Sequence, residues 1–245
     1  MSSQNTSKVA LVTGATRGIG FETVRQLASS GVHVLLAGRD RGKAVEASLK
    51  LQSEGLPVEA ITLDVTRADS IANAAQEVAQ KHGKLDILVN NAGVFRDEAG
   101  RKPSEQSLTT WRETFDTNVF GVVATTQAFL PLLKLAPSAR IVNVSSILGS
   151  VAANADPASP IYDFKVPAYN VSKSAVNAWT VQLAHELRDT NIKVNAVHPG
   201  SVKTDMNSHG ELEVADGAKT SVRMALLDDA GPNGGFVYFE DTLPW

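Results

Sequence analysis

The 245-residue chain contains no cysteine. This absence excludes disulfide bonds, thiolate metal ligands and cysteine nucleophiles. The five histidines are scattered without the spacing of a metal-binding motif, so we expect them to be structural or solvated and predict no metal site. A surplus of positive charge is also missing, because 23 basic residues stand against 26 acidic ones and leave a net charge of −3. The sequence therefore predicts neither a nucleic-acid partner nor a membrane-surface partner.

Long hydrophobic runs are scarce as well. The most apolar candidate, residues 128–136, is too short to cross a bilayer and contains Lys134. The polar start, MSSQNTSK, lacks the hydrophobic segment of a secretory signal, so we expect a cytoplasmic protein. With 43% hydrophobic and 20% charged residues, the composition is that of a folded protein, and the length favours one domain over residues 1–245.

Short apolar segments alternate with longer helix-like segments along the whole chain. The apolar segments are rich in Val, Ile and Leu without strict polar alternation, which is typical of strands covered on both faces. They lie at residues 8–12, 32–37, 58–63, 85–89, 140–144 and 192–197. The helix-like segments lie at residues 20–30, 43–54, 69–82, 108–135 and 168–189. This alternation predicts repeated βαβ units, and hence a single-domain α/β fold with a Rossmann-like, doubly wound parallel sheet flanked by helices.

A glycine-rich turn follows the first predicted strand and leads directly into a helix. Glycines in such a turn let the backbone approach a pyrophosphate, which the free amides of the helix N-terminus hold. A plain tight turn is the alternative for a glycine cluster considered alone. The position in the first βα turn favours a dinucleotide site, and the residues concerned are Thr13, Gly14, Thr16, Arg17, Gly18, Ile19 and Gly20.

The end of the second predicted strand indicates which dinucleotide binds. NAD enzymes place a carboxylate there, whereas NADP enzymes place cations near the ribose phosphate. This chain has Gly38 followed by Arg39, and Arg17 of the glycine turn points toward the same part of the ligand. We interpret Asp40 as a helix-capping acid or a partner of a neighbouring cation. The two arginines predict NADP(H), the alternative being that Arg39 is only a solvated charge.

Polar and small residues also follow the third and fourth predicted strands. Ligands in open α/β sheets bind at the carboxyl ends of the strands, where these residues are expected to meet. We therefore assign Asp64, Val65, Asn91, Ala92 and Gly93 to the cofactor cleft. The alternative for the asparagines is that they only tie neighbouring loops together.

Tyr169 and Lys173 are four residues apart, which places both on one face of a helix. An ammonium beside a phenol lowers the tyrosine pKa, so Tyr169 is a candidate general acid for a carbonyl or base for an alcohol. Such a pair also arises by chance in many helices. Ser146, at the end of the fifth strand, can bond the same substrate oxygen. Asn118 is a polar residue in an apolar helix, and it either orders a water that reaches Lys173 or anchors backbone.

Together these motifs resemble the short-chain dehydrogenase/reductase family over nearly the whole chain, and most closely its NADPH-dependent carbonyl reductases. The matching positions are Thr13, Gly14, Gly18, Gly20, Asn90–Gly93, Asn118, Ser146, Tyr169, Lys173, Pro199 and Gly200. The resemblance implies that Tyr169 is the acid/base and that Ser146 polarises the carbonyl. It also implies that Lys173 binds the nicotinamide ribose and that Asn118 holds a proton-relay water. Val202 and Thr204 match positions that grip the nicotinamide carboxamide.

The activity implied is reversible hydride transfer between NADP(H) and a ketone or aldehyde substrate. Two alternatives are a non-catalytic NADP(H)-binding redox sensor and a sugar-nucleotide epimerase or dehydratase. We expect a cofactor-binding and catalytic core at 7–200 and a substrate-side segment at 201–230. The substrate itself is not predicted, although four apolar residues are candidates for its pocket: Phe95, Trp111, Ile147 and Tyr162. For Trp111 and Ile147 the alternative is a place in the core.

An inserted loop, residues 147–168, departs from the common family pattern. Between Ser146 and Tyr169 lie 22 residues, more than in the common family pattern, so the two can meet only if the additional residues loop out. Prolines at 157, 160 and 167 disfavour a new strand. The resemblance implies that the long helices at 108–135 and 168–189 can pair in a dimer, and we expect Ile161, Tyr162 and Phe164 to cover this surface. The alternative is a surface loop that lines the substrate cleft and leaves the dimer helices free. A monomer is therefore favoured, with a homodimer as the alternative.

Overall fold

The structure, a computed structural model, describes residues 8–245 and is built around one eight-stranded sheet. The strands are β1 (Val9–Val12), β2 (His33–Gly38), β3 (Val58–Thr62), β4 (Ile87–Asn90), β5 (Ala139–Val144), β6 (Ile192–Val197), β7 (Phe236–Tyr238) and β8 (Asp241–Thr242). Their order is β3-β2-β1-β4-β5-β6-β7-β8, and all neighbours are parallel except β7 and β8. The predicted α/β fold is confirmed, and each of the six predicted strands lies within two residues of its predicted bounds.

Eight α-helices connect and cover the strands over the described range. They are α1 (Gly18–Ser29), α2 (Arg41–Ser53), α3 (Ala68–His82), α4 (Leu108–Phe115), α5 (Gly121–Leu133), α6 (Val151–Ala155), α7 (Pro167–Glu186) and α8 (Val214–Ala225). The long helix predicted at 108–135 is divided into α4 and α5 by a π-helical turn at Asp116–Phe120. Within residues 8–245 no helix is long and apolar enough to cross a membrane.

Helices lie on both faces of the sheet and form two hydrophobic layers. On one face, Phe129 of α5 and Leu183 of α7 pack on the strands together with residues of α3. On the other face, Leu27 of α1, Leu51 of α2 and Met224 of α8 form the second layer. Since both faces are covered, the strands are apolar throughout rather than alternating. The packed sheet holds the carboxyl ends of its strands along one edge, where the predicted site residues lie.

The inserted loop leaves the sheet after β5 and returns at Pro167, the first residue of α7. It forms a short 3₁₀ turn and α6 but no strand, as predicted. Tyr162 and Phe164 remain 36% and 52% exposed, and Val171 on α7 is 45% exposed. Parts of both aromatic side chains and of α7 are thus open to solvent, and the covering role of the insertion stays a prediction. The oligomeric state stays a prediction.

Candidate active site

The glycine turn after β1 is packed against the loop that follows β4. Gly14 and Gly18 have φ angles of 62° and 59°, which favour glycine. A Cβ atom at Gly14 would lie 2.8 Å from the Cα of Ala92, so no larger residue fits there. The Thr13 hydroxyl accepts hydrogen bonds from the backbone amides of Asn91 and Ala92, both at 3.0 Å. The side-chain amide of Asn91 in turn donates a hydrogen bond to the Thr13 carbonyl at 2.9 Å, so this asparagine ties the two loops together.

The N-terminus of α1 is open to a ligand. Arg17 precedes the helix in extended conformation, and no side chain in the described part of the chain caps the helix. The first turn also carries no acidic residue. Uncapped amides at a helix N-terminus bind anions, which fits the pyrophosphate of a dinucleotide. Across the cleft, the Thr204 methyl lies 3.8 Å from the position of a Cβ at Gly18.

The end of β2 has the features that the sequence predicts for an NADP site. Gly38 is the last residue of the strand, and a Cβ there would lie 2.5 Å from the Thr16 methyl. Asp40 caps α2, where its Oδ1 accepts a hydrogen bond of 3.0 Å from the Lys43 amide. Our interpretation of Asp40 as a capping acid is thus confirmed. The neighbouring Arg39 is exposed beside the strand end.

Arg17 makes a contact that the sequence did not predict. Its Nη1 lies 2.5 Å from Oδ2 of Asp205, and the two side chains are 76% and 71% exposed. The ion pair joins the glycine turn to the segment that follows Pro199 and Gly200. Since exposed ion pairs contribute only about 0–1 kcal/mol, Arg17 can exchange Asp205 for a phosphate at low cost. The role of Arg17 toward a 2′-phosphate remains a prediction.

The candidate catalytic pair lies on α7, beside the end of β5. Lys173 is buried, and its Nζ donates a hydrogen bond of 2.8 Å to the Val144 carbonyl. The same Nζ lies 5.6 Å from the centroid of the Tyr169 ring. Burial lowers the pKa of Lys173 to about 8, because the charged ammonium loses solvation. The predicted stacking of the two residues on one helix face is confirmed.

The Ser146 side chain lies near the Tyr169 hydroxyl, so the insertion loops out as the sequence requires. The Ser146 hydroxyl accepts a hydrogen bond of 3.2 Å from the Leu148 amide. Burial raises the pKa of Tyr169 to about 12, and the nearby Ser146 offsets this rise only in part. The pKa of Tyr169 in the protein without cofactor is therefore raised, whereas we expected it to be lowered. The reason is the loss of solvation on burial, and the Lys173 ammonium bonds the Val144 carbonyl. At neutral pH Tyr169 keeps its proton, which is the form that a general acid needs.

Asn118 lies in the π-helical turn between α4 and α5 and is fully buried. Its Oδ1 accepts from the Val94 amide at 2.8 Å, and its Nδ2 donates to the Val94 carbonyl at 2.9 Å and to Ser172 Oγ at 3.0 Å. Asn118 thus anchors backbone, which is one of the two roles expected. A Cβ at Gly93 would lie 3.5 Å from Asn118 Oδ1 and 3.6 Å from Lys173 Nζ. The glycine therefore keeps open the space beside both side chains.

Asp97 is a site residue that the sequence analysis missed. Its Oδ1 accepts a hydrogen bond from the Ala168 amide at 2.8 Å, and its Oδ2 accepts one from the Tyr169 amide at 2.9 Å. The carboxylate holds the first turn of α7 from a loop 71 positions earlier in the chain. No local motif surrounds Asp97, so the sequence offered no signal for this contact.

Of the four apolar residues predicted for the substrate pocket, Phe95 is the one with a ring contact to Tyr169 among the described residues. The Phe95 ring lies 5.4 Å from the Tyr169 ring and is the aromatic partner of the tyrosine. Trp111 packs on Phe115 instead, with ring centroids 6.1 Å apart. Ile147 directly follows Ser146, whereas Tyr162 is exposed in the insertion. Phe95 is thus the best-placed candidate for a substrate contact.

The remaining predicted cofactor residues line the strand ends. Asp64 Oδ1 accepts a hydrogen bond of 3.0 Å from the Thr66 amide, and Val65 packs against the start of α5. Gly200 has a φ of 87°, so the turn after Pro199 favours glycine. Val202 is 3% exposed and packs on Gly217 of α8. Only the backbone of Val202 is left for the predicted nicotinamide contact.

Comparison with known proteins places this geometry in a family. The family described as short chain dehydrogenase matches residues 8–213. A (+)-neomenthol dehydrogenase of Arabidopsis thaliana is 36% identical, over 95% of this chain and 96% of the relative. The structure of salutaridine reductase from Papaver somniferum matches with a TM-score of 0.83 and 31% identity, over 96% of this chain and 100% of that one. The NADPH-bound carbonyl reductase from chicken fatty liver matches with a TM-score of 0.85 and 29% identity, over 98% and 99% of the two chains. The protein therefore belongs to the short-chain dehydrogenase family.

Proposed function

We propose that the protein is an oxidoreductase that transfers a hydride between NADP(H) and a ketone or aldehyde, or the corresponding alcohol. The observation that carries this proposal is the pair Tyr169 and Lys173, with Lys173 Nζ 5.6 Å from the tyrosine ring and Ser146 nearby, at the edge of the sheet that carries the glycine turn. Bound NADP(H) supplies or accepts the hydride. The chain's own residues bind the substrate oxygen and move its proton.

Each residue of the site has a chemical role that its surroundings support. Tyr169 holds its proton at neutral pH and donates it to the carbonyl oxygen when a ketone is reduced. Ser146 hydrogen-bonds the same oxygen and keeps it close to the phenol. Lys173 faces the space beside Gly93, where its ammonium can hold a ribose hydroxyl. Proton transfer by a positioned side chain contributes about 10²–10⁴-fold to the rate.

The preference for NADP(H) rests on the end of β2 and on the glycine turn. Gly38 provides no carboxylate for a ribose hydroxyl, and Asp40 is engaged as a helix cap. Arg39 follows Gly38, and Arg17 follows Thr16, whose methyl lies beside Gly38; two such guanidinium groups suit a 2′-phosphate. The carbonyl reductase from chicken, whose structure matches this chain, is NADPH-bound.

We further propose a substrate with an apolar body beside its carbonyl or hydroxyl group. Phe95 is 37% exposed next to Tyr169 and offers an aromatic surface for that body. Relatives named neomenthol dehydrogenase and salutaridine reductase agree with this class. No observation favours the redox sensor or the sugar-nucleotide epimerase. The cytoplasmic location and the monomeric state remain predictions from the sequence.

Tyr169→Phe tests the proposed function, because it removes only the proton-donating hydroxyl. We expect kcat, measured by NADPH consumption with a panel of apolar ketones, to fall at least about 100-fold. The dissociation constant of NADPH should change less than about twofold, since the tyrosine is not its main anchor. Tyr162→Phe, on the exposed insertion, is the matched control and should keep full activity. Activity of Tyr169→Phe within about tenfold of the unmodified protein would reject the role of the tyrosine.

A further inference from the structure

Three potential metal ligands meet at the edge of the sheet opposite the active site. His33 is the first residue of β2, Glu59 is the second residue of β3, and His82 is the last residue of α3. Parallel strands bring their amino ends together, and α3 runs back to the same edge. The three positions are far apart in sequence, so the chain shows no local motif for this cluster. Ser146 and Tyr169 lie at the other ends of the strands.

The distances within the cluster are too long for good hydrogen bonds. Glu59 Oε2 lies 3.6 Å from His33 Nε2 and 3.5 Å from His82 Nε2, compared with about 2.7–3.2 Å for a normal hydrogen bond. Both Nε2 atoms are buried and have no hydrogen-bond partner among residues 8–245. Buried polar atoms usually have a partner, so two orphaned nitrogens that face one carboxylate call for an explanation.

A bound cation provides that explanation. Zinc bonds to nitrogen and oxygen are about 2.0–2.2 Å long, so a tetrahedral centre separates its ligand atoms by about 3.4 Å. The two histidine–carboxylate distances are close to this value, and all three ligand atoms lie within 4.8 Å of one another. The cluster is thus already near the spacing of a metal site.

Two neighbouring features bear on a cation at this point, namely an ion pair whose carboxylate the metal would share with Lys81 and a helix end that favours positive charge. Lys81 Nζ lies 2.5 Å from Glu59 Oε1 and 2.8 Å from Glu77 Oε1. This contact orients the Glu59 carboxylate and leaves its Oε2 directed at the imidazoles, as outer partners do for metal ligands. His82 also lies in the last turn of α3, where the helix dipole favours positive charge.

We propose that His33, Glu59 and His82 form a binding site for a divalent transition-metal cation of the Zn²⁺ type. The two imidazoles and Glu59 Oε2 supply three ligands, and a water completes the coordination. The bound ion links β2, β3 and the end of α3, and so stabilises this part of the fold. Because the site lies away from the strand ends that carry Tyr169, its occupancy leaves the activity of the enzyme unchanged.

Calorimetric titration of the full chain with Zn²⁺ tests the proposal. We expect one Zn²⁺ per chain with micromolar or tighter affinity, and a Zn²⁺-dependent rise in Tm. Glu59→Gln and His82→Gln should each weaken binding at least about tenfold and remove the rise in Tm. His185→Gln is the matched control, since His185 lies in the last turn of α7 and is exposed. It should bind Zn²⁺ like the unmodified protein.

A second probe, Co²⁺, makes the test independent of whether each variant folds. Tetrahedral Co²⁺ bound to the unmodified protein should give intense visible absorption bands, and one equivalent of Zn²⁺ should abolish them. The absence of these bands, or of saturable Zn²⁺ binding, would show that the two histidines and Glu59 form no metal site. Equal affinity in Glu59→Gln and in the unmodified protein would overturn the proposal as well. So would a loss of binding in His185→Gln.

Discussion

Replacement of Asp97 by alanine tests how the loop after β4 positions the catalytic tyrosine. The two carboxylate oxygens accept hydrogen bonds from the Ala168 and Tyr169 amides, at 2.8 and 2.9 Å. These amides lie in the first turn of α7, which has no side-chain cap from its own N-cap residue, Val166. Asp97→Ala therefore leaves two amides without a protein partner and removes a negative charge from the positive end of the helix dipole.

The expected loss of stability follows from these two contacts. Each hydrogen bond to a charged group contributes about 1.5–3 kcal/mol, and the charge at the helix end adds about 0.3–1 kcal/mol. Asp97 is only half-buried, so water replaces part of both bonds in the variant. We expect the free energy of unfolding to fall by about 2–4 kcal/mol. Displacement of the helix start also moves the phenol, and a shift of about 1 Å can cost 10²-fold in rate.

Urea unfolding followed by circular dichroism measures the first effect, and steady-state kinetics measure the second. Asp97→Ala should lower kcat at least about tenfold while the NADPH dissociation constant stays nearly constant. Asp97→Asn keeps one acceptor oxygen and should give an intermediate result for both quantities. Asp163→Ala, an exposed acid in the insertion, is the control and should change neither. An unfolding free energy within about 0.5 kcal/mol of the unmodified value would refute the argument.

Three further predictions concern the cofactor and the assembly. Arg39→Ala should raise the KM for NADPH about 10- to 150-fold and hardly alter that for NADH; equal use of both cofactors by the unmodified enzyme would contradict this. Because burial lowers the pKa of Lys173 to about 8, its ammonium is charged below that pH and neutral above it. Fluorescence titration should therefore show NADPH affinity falling as the pH rises through about 8, and a constant affinity there would exclude the proposed ribose contact. For the assembly, the sequence predicts a monomer of 26.0 kDa in light scattering, whereas twice that mass would show that exposed side chains such as Phe120 and Val171 pair with a second copy.

The sequence predicted the first six strands because their apolar runs leave no polar face. It missed α8, whose buried face consists mainly of small or hydroxyl-bearing residues such as Gly217, Ala218, Thr220 and Ser221. Such residues supply few large apolar side chains although the helix is amphipathic, and α8 is buried because it packs closely on α1 and on the sheet. The strand β7 was missed for a different reason, since it has only three residues and follows a glycine-rich stretch.

The candidate site was predictable where a local motif carries the chemistry. The glycine turn and the pair Tyr169 and Lys173 are defined by spacing alone. Asp97 and Asp205 act through side-chain contacts over long sequence separations, so no window of sequence shows them. The direction of the Tyr169 pKa also depends on three-dimensional surroundings, because it follows from burial.

The segment at residues 91–97 connects the two halves of the site. Asn91 fixes this segment to the glycine turn through Thr13, and Val94 fixes it to the π-helical turn before α5 through Asn118. Asp97 fixes its far end to the start of α7. The surface that binds the cofactor and the side chain that donates the proton therefore share one support, which lies between β4 and α4. Spacing within α7 aligns Tyr169 with Lys173, and the bond from Lys173 to Val144 ties the pair to the sheet. The contacts of the segment at 91–97 add a second, direct link from the start of α7 to the glycine turn, and these contacts lie outside the family motif.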